Sequence, residues 1–453
     1  MSQLMPRIPD RIVAAWLRSR PLVVRPVIGA WLVFGYALYR GYDSYDRNFN
    51  PELTALSWDP GPNVGSNFRT YRHAAELALS GEPFYNVAPP ALDQWAVYLY
   101  PPITVVTFYP VTALEWLTGY GLLVALNLLA GLAAAMLIVR FIEARGRGVG
   151  WLDLGLIFAV FALSPFSWGT IYYGNINLLL ALAFVVGFLA LWTDHETLAG
   201  TAFALAALWK LFPALVGFWL LRQRAWRAIG AAIAVGGGGV VAGIVLFGWR
   251  TTHIFITEVV FGRADTARFV GGYPGDGRYF VTIQRPLSHV IWNVWPNAPR
   301  AILVPTAVLV AIGILGLFYV RLDTGQDHLF AIFATVAITV TLMPSQQWYL
   351  VMLFFPMIPL LYLWDGPGQY AFVLGAVVLF FNERPGSMIE WLGETGVPAA
   401  IEWAGIGIFT FATVQLYAIG LMAGACLWCK YDGPRQVRAG FSAIDGLVST
   451  RFR

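Results

Sequence analysis

The chain has 453 residues, of which 58% are hydrophobic and 12% charged, with a net charge of +4 and a mean hydropathy of +0.64. Soluble domains carry about 25% charged residues, so an ordinary soluble enzyme is excluded and an all-α polytopic membrane protein is expected. Both tails are rich in arginine and read as cytoplasmic flanks, not nucleic-acid-binding arms.

Taken in chain order, apolar runs near the ~20 residues needed to span a bilayer fall at 23–42, 101–116, 118–139, 151–171, 174–193, 197–221, 226–248, 300–321, 328–345, 346–364, 369–382 and 404–428. They predict about twelve transmembrane helices in one domain, 1–453, with both termini inside. The runs 101–116 and 369–382 are short. No small-residue cleavage site follows the first run, so no cleavable signal peptide is expected. With this count Arg222, Arg224 and Arg227 fall inside, as the positive-inside rule asks. Arg140, Arg145 and Arg147 fall outside and break it. Either a neighbouring run is re-entrant or these arginines face an external anion.

Two long loops land outside. Loop 43–100 carries seven acids, a helical stretch over 68–80 and a Gly81-Glu82-Pro83 stop. Loop 249–299 holds the amphipathic "THIFITEVVFGRA", a glycine-rich turn and "QRPLSHVIWNVW". Both are expected to lay surface helices on the membrane. The glycines 236–239 lie inside a span, where small residues let helices pack closely.

Polar groups inside the apolar runs single out candidate site residues. Lys210, in "LWKLFP", lies near the middle of its run. A cation there costs at least ~2.5 kcal/mol, so it needs a carboxylate, carbonyl or phosphate partner. Asn175 and Asn177 interrupt another run in "SPFSWGTIYYGNIN", as a cavity-lining turn or a plain short loop. Gln347 and Trp348, in "MPSQQWY", stand at an external helix junction. Arg285, in "QRPL", and Arg384, in "NERPG", are external cations near the membrane plane, suited to a substrate phosphate or to lipid head groups. Cys426 and Cys429 form a lone pair that cannot complete a zinc site, and the five histidines are scattered. No nucleotide-binding loop or metal-ligand spacing is present, and neither a cofactor nor nucleic acid is expected.

The order of these features resembles the membrane glycosyltransferases of the GT-C class, and most closely glycosyltransferase family 87, the polyprenyl-phosphate-mannose-dependent mannosyltransferases and their prokaryotic relatives. Four stretches carry the resemblance: "NFRTYRHAAELALSGEPFY", "YLYPPITVVTFYP", "YYGNINLLL" and "LWKLFPAL". "QRPLSHVIW", with Gln284, Arg285 and His289, and "MPSQQWY" match more loosely. The resemblance implies a multi-pass prokaryotic plasma-membrane enzyme with an extracytoplasmic active site. It would move a hexose, mannose or another, from a polyprenyl-phosphate carrier to a glycolipid or glycan acceptor, with inversion. Arg69, Arg72, Lys210, Arg285 and Arg384 would supply cations for the phosphate, and Tyr71, Tyr85, Tyr98 and Tyr100 would contact sugar or phosphate.

The family's first-loop Asp is replaced here by Asn67, and an amide cannot act as a general base. Three explanations stand: another carboxylate serves, with Asp59 first and then Asp43, Asp46 and Glu76; the chain is an inactive relative; or the alignment is shifted. The rival functions are a lipid or polar-solute transporter or flippase, and a non-catalytic scaffold.

Overall fold

The computed structural model describes residues 26–48, 63–90, 92, 96–262, 280–343, 345–364, 366, 368–381, 383 and 385–431. Asp59 and Arg384 lie outside the described residues. The described chain is all-helical; its one extended pairing is an isolated bridge between Val281 and Ser345. Among the described residues three helices are long and apolar enough to cross a membrane: Trp116–Glu143, Trp226–Phe261 and Arg300–Tyr319. Two bent pairs, Trp151–Leu163 with Pro165–Tyr172 and Ala399–Phe411 with Val414–Tyr431, raise this to five if each pair is one span. Shorter apolar helices make up much of the rest.

Helix α1 (Pro26–Asn48) is followed by α2 (Ser66–Leu79), which covers the helical stretch expected in the first loop. Gly81 takes φ 76 just beyond the end of α2. The run 101–116 forms no membrane-length helix. Pro101 and Pro102 restrict its start, and it becomes a 3-10 segment, Pro102–Phe108, with one α-turn, Tyr109–Thr112. Helix α3 (Trp116–Glu143) opens on Glu115, whose carboxylate accepts from the amides of Leu117 and Thr118. Helices α4 (Trp151–Leu163) and α5 (Pro165–Tyr172) meet at a 48° bend where Pro165 starts the second piece.

Helix α6 (Asn177–Trp192) is followed by α7 (Glu196–Trp209). Pro213 has no N–H for the Trp209 carbonyl, and α7 stops with Lys210 extended at φ −146, ψ 127. A 3-10 turn, Phe212–Val216, leads into α8 (Gly217–Arg222). Residues Glu196, at the start of α7, and Gln223, just past α8, line the same small cavity. The run 197–221 is therefore a hairpin that turns back at Lys210, not one continuous helix through the membrane.

Helix α9 (Trp226–Ile254) lies alongside α7, with Gly200 against Ala228 and Gly239 against Leu208. It changes direction at Gly248, φ 81, where the sequence places the end of the span, and continues as a π-helix over Phe255–Phe261. Helix α10 (Gln284–Val294) precedes α11 (Leu303–Tyr319) and α12 (Gly325–Thr341). Every residue of α12 is buried, and Thr335, Thr339 and Thr341 return their hydroxyls to carbonyls one turn back. A helix buried on every face belongs at the centre of the bundle, and these bonds leave no threonine hydroxyl of α12 unpaired there. A 3-10 segment, Gln347–Leu353, leads to α13 (Phe354–Leu363), followed by α14 (Gly368–Leu379), α15 (Pro385–Glu394), α16 (Ala399–Phe411) and α17 (Val414–Tyr431), the last two meeting at 78°.

The bundle has two distinct ends. One gathers Trp192, Glu196, Gln223 and His328 around the small cavity, with Arg145 stacked on Trp192 and Arg222 bonded to the Tyr319 carbonyl. The other gathers the α2 start, the α5–α6 turn, Lys210 and the segment 345–349.

Candidate active site

Four of the sequence-selected residues meet at that second end. Asn175 is buried in the turn between α5 and α6. Its Oδ1 accepts from Lys210 Nζ at 3.1 Å, from the Tyr71 hydroxyl at 3.3 Å and from the Ile176 amide at 2.9 Å. Asn127, on α3, donates to the Asn175 carbonyl at 3.0 Å and fixes the turn from below. The Tyr71 and Tyr100 hydroxyls lie 2.9 Å apart. The turn requires glycine at 174: its φ is 66, and an added Cβ would stand 2.8 Å from the Cβ of Phe68. The amides of Gly65 and Asn67 donate to the carbonyls of Tyr172 and Tyr173, locking the start of α2 onto this turn.

Lys210 is 5% exposed. Its ammonium lies 3.9 Å from the centre of the Tyr349 ring and 5.7 Å from that of Tyr100. Among the described residues no carboxylate pairs with it, and Asn175 supplies its hydrogen-bond acceptor. Two of its three N–H donors (an ammonium has three) are left for a ligand. Among the described residues Lys210 is thus held by an amide and an aromatic face, without a counter-charge.

The remaining aromatics form the frame. Tyr85 donates to the Tyr100 carbonyl at 2.6 Å, and the Tyr98 hydroxyl meets Thr104 at 2.6 Å. Burial, aided by neighbouring tyrosines, pushes the phenols of Tyr71, Tyr85 and Tyr98 well above 10. They are neutral hydrogen-bonding groups, not phenolates. Phe84 packs on Phe247 and Tyr85 on Phe255, while Asn86 bonds Glu258 at 2.7 Å. The first loop is thus fastened to the far end of α9.

The structure puts other candidates to different uses. Asn177 bonds Thr170 at 3.1 Å, bracing the turn. Arg72 pairs with Glu76 at 2.8 Å on the outer side of α2, and Arg69 lies over Trp116. Gln284 donates to the Leu342 carbonyl at 2.9 Å. Arg285 donates to the carbonyls of Phe409 and Thr410 at 3.0 and 2.8 Å, where the α16–α17 bend leaves backbone acceptors without helical partners. His289 packs near Phe411. Gln347 and Trp348 open the 3-10 turn that carries Tyr349 to Lys210. The Asn67 side-chain amide has no partner among the described residues, and Asp43 is an ion-pair partner of Arg40. Among the described residues no group of His, Cys, Asp and Glu could hold a metal ion.

Beside this cluster lies an apolar groove of about 410 Å³. Its walls are α7, the hairpin turn, α8 and the small-residue stripe Ala232, Gly236 and Val240 of α9. Pro101 and Leu211, the chain neighbours of Tyr100 and Lys210, line its edge. The small residues of α9 keep the groove open, which sequence reading treated only as helix packing. The groove itself needs the hairpin fold and was not visible from the run 197–221.

An all-helical, apolar bundle thus places a buried cation with no carboxylate partner among the described residues beside an apolar groove. The family model of glycosyltransferase family 87 matches residues 98–346, more than half of the chain, and the chain belongs to that family. It is a glycosyltransferase. No curated protein matches the chain. The match begins at Tyr98, so α2 and Asn67 lie outside it, while the Asn175 turn and Lys210 lie within.

Proposed function

We propose that this glycosyltransferase takes its sugar from a polyprenyl phosphate and passes it to an acceptor hydroxyl at the extracytoplasmic face, with inversion. The observation that carries this is Lys210: a buried ammonium with no carboxylate partner among the described residues, beside an apolar groove that its neighbour Leu211 lines. The ammonium binds the donor phosphate and the groove takes the isoprenoid chain. The acceptor oxygen attacks the anomeric carbon, the bond from that carbon to the phosphate oxygen breaks, and its electron pair leaves on the phosphate. Lys210 steadies the charge that develops there, and Tyr71 and Tyr100 hold the phosphate and sugar by neutral hydrogen bonds. The acceptor proton goes to a carboxylate base, for which Asp59 is the first candidate, with Asn67 lining the site.

The two ends of the bundle support the membrane side. If neither 101–116, a 3-10 segment, nor 197–221, which turns back at Lys210, crosses the membrane, α3 runs from the Lys210 end to Arg140, with Arg145 and Arg147 just beyond. These arginines then lie with Arg222, Arg224 and Arg227 and satisfy the positive-inside rule, which leaves Lys210 nearer the outer face. The re-entrant alternative left open by the sequence is the one this arrangement favours.

The test is transfer by the purified protein from a radiolabelled polyprenyl-phosphate hexose, comparing wild type with Asp59→Ala and Asn67→Asp. Loss of transfer in Asp59→Ala with donor binding intact is expected. Full activity in that variant removes Asp59 as base. A gain only in Asn67→Asp identifies an inactive relative.

A further inference from the structure

The end of the bundle opposite Lys210 holds a second cavity, of about 70 Å³. It lies where two turns meet: the α6–α7 turn, which carries Asp194, and the α8–α9 turn, which carries Gln223. Its walls include the indoles of Trp192 and Trp219 and the imidazole of His328, from α6, α8 and α12. The imidazole crosses the two indoles at 62° and 87°, with ring centres 6.3 and 6.0 Å apart. His328 Nδ1 donates to the Thr324 carbonyl at 2.9 Å, which fixes the ring. Trp192 already takes one cation on its face: the Arg145 guanidinium lies 4.5 Å from the ring centre.

The polar groups around these rings fall into two sets. Asp194 and Glu196 bring carboxylates to the wall. Glu196 Oε2 accepts from the Arg227 amide at 3.1 Å, and among the described residues its other oxygen has no partner. Gln223 Nε2, by contrast, is a donor buried without a hydrogen bond, and the next residue is the exposed Arg224. Carboxylates beside aromatic faces suit an ammonium. An unpaired amide N–H beside a guanidinium suits a phosphate oxygen. One water needs about 10–15 Å³ of such space, so the cavity takes roughly five non-hydrogen atoms. That is room for an ethanolammonium group, not for a sugar ring or an isoprenoid chain. Leu221 and Trp226, apolar and exposed, bracket the α8–α9 turn and offer a surface to acyl chains.

We propose that this cavity binds the head group of a zwitterionic membrane lipid, a primary ammonium joined through a short carbon link to a phosphodiester, as in phosphatidylethanolamine. The ammonium enters among the rings beside Glu196. The phosphodiester oxygens meet Gln223 Nε2 and Arg224, and the acyl chains run along Leu221 and Trp226. A soluble glycerophosphoethanolamine carries the same polar chemistry; the exposed apolar pair assigns the site to the lipid. The site is separate from the donor site at Lys210 and does not depend on the donor's identity.

The test measures binding of phosphatidylethanolamine, phosphatidylglycerol and glycerophosphoethanolamine to the purified full-length protein in detergent. Native mass spectrometry and the rise in melting temperature report the binding. The two lipids share the phosphodiester and differ in the ammonium. A basic surface alone favours the anionic phosphatidylglycerol, whereas this cavity is expected to favour phosphatidylethanolamine by about tenfold. Glu196→Gln, which keeps an acceptor for the Arg227 amide, is expected to abolish that preference. Gln223→Met is expected to weaken phosphatidylethanolamine binding about fivefold, and to melt at or above the wild-type temperature because it removes an unpaired donor. Polyprenyl-phosphate affinity is expected to stay at the wild-type value in both variants. Equal binding of the two lipids, or a preference for phosphatidylglycerol, overturns the proposal, as does a preference that survives Glu196→Gln. Glycerophosphoethanolamine that binds as tightly as the lipid overturns the lipid as occupant. Loss of polyprenyl-phosphate affinity in either folded variant overturns the separation of the two sites.

Discussion

The chain has two lysines, both buried, and they are held in opposite ways. Lys430, near the end of α17, donates to the Arg321 carbonyl at 3.0 Å and lies 3.9 Å from Asp327. Asp327 is in turn fixed by the Thr324 cap of α12. That cation is matched inside the protein and ties α17 to α12 and to the loop before it. Lys210 has an amide and a ring for company, and no carboxylate among the described residues. A matched buried charge is architecture, whereas an unmatched one costs stability and is retained for what it binds.

Exchanging the two lysines for methionine breaks this comparison most sharply. Lys210→Met is expected to lower transfer by about 10²–10³-fold, the effect of removing one preorganised charge-stabilising donor, with its melting temperature unchanged or raised. Lys430→Met is expected to do the reverse. Stranding the Asp327 carboxylate should cost about 3 kcal/mol of stability, seen as a lower melting temperature, with the activity of the folded fraction unchanged. Similar activity losses in the two variants would remove the distinction.

Asn175→Asp gives Lys210 the internal counter-charge that Lys430 already has. Donor affinity should fall about tenfold or more as carboxylate and phosphate compete for one ammonium, while thermal stability holds. A variant that binds donor as wild type does would show that the ammonium is not the phosphate's partner.

A smaller effect is expected from Tyr71→Phe, which removes one hydroxyl bonded to Asn175 and Tyr100. About 1.4 kcal/mol, or tenfold in kcat/KM, is the scale for such a bond.

The last expectation concerns pH. Tyr71, Tyr85 and Tyr98 have pKa values raised above the ordinary 10 by burial. Above pH 10 the unfolded chain releases these protons and the folded chain keeps them, so stability falls as pH rises from 10. Below pH 10 these groups contribute no pH dependence to activity. Phenolate absorbance should therefore rise only with unfolding for these three residues; ionisation in the folded protein near pH 10 would place them in water.

The sequence made some of this legible and hid the rest for identifiable reasons. The depth of Lys210 in an apolar run and the Gly81 stop beyond α2 are local signals, and each corresponds to a feature of the structure. The count of about twelve spans did not transfer. Hydropathy sees apolar length but not direction, and so cannot tell a crossing from the hairpin at Lys210 or from the 3-10 segment after Pro102. Arg285 reads as a phosphate-binding cation until the fold brings the carbonyls of Phe409 and Thr410, more than a hundred residues away, against its guanidinium. The small cavity joins the Trp192 and Trp219 rings to His328 across a similarly long gap. In a chain with 19 tryptophans these rings read singly as membrane-interface residues.

The most direct measurement is the affinity of the detergent-purified protein for a polyprenyl phosphate, in wild type, Lys210→Gln and Lys430→Gln. Binding should weaken at least about tenfold in Lys210→Gln and remain at the wild-type value in folded Lys430→Gln. Wild-type affinity in Lys210→Gln would contradict the assignment of Lys210 to the donor phosphate.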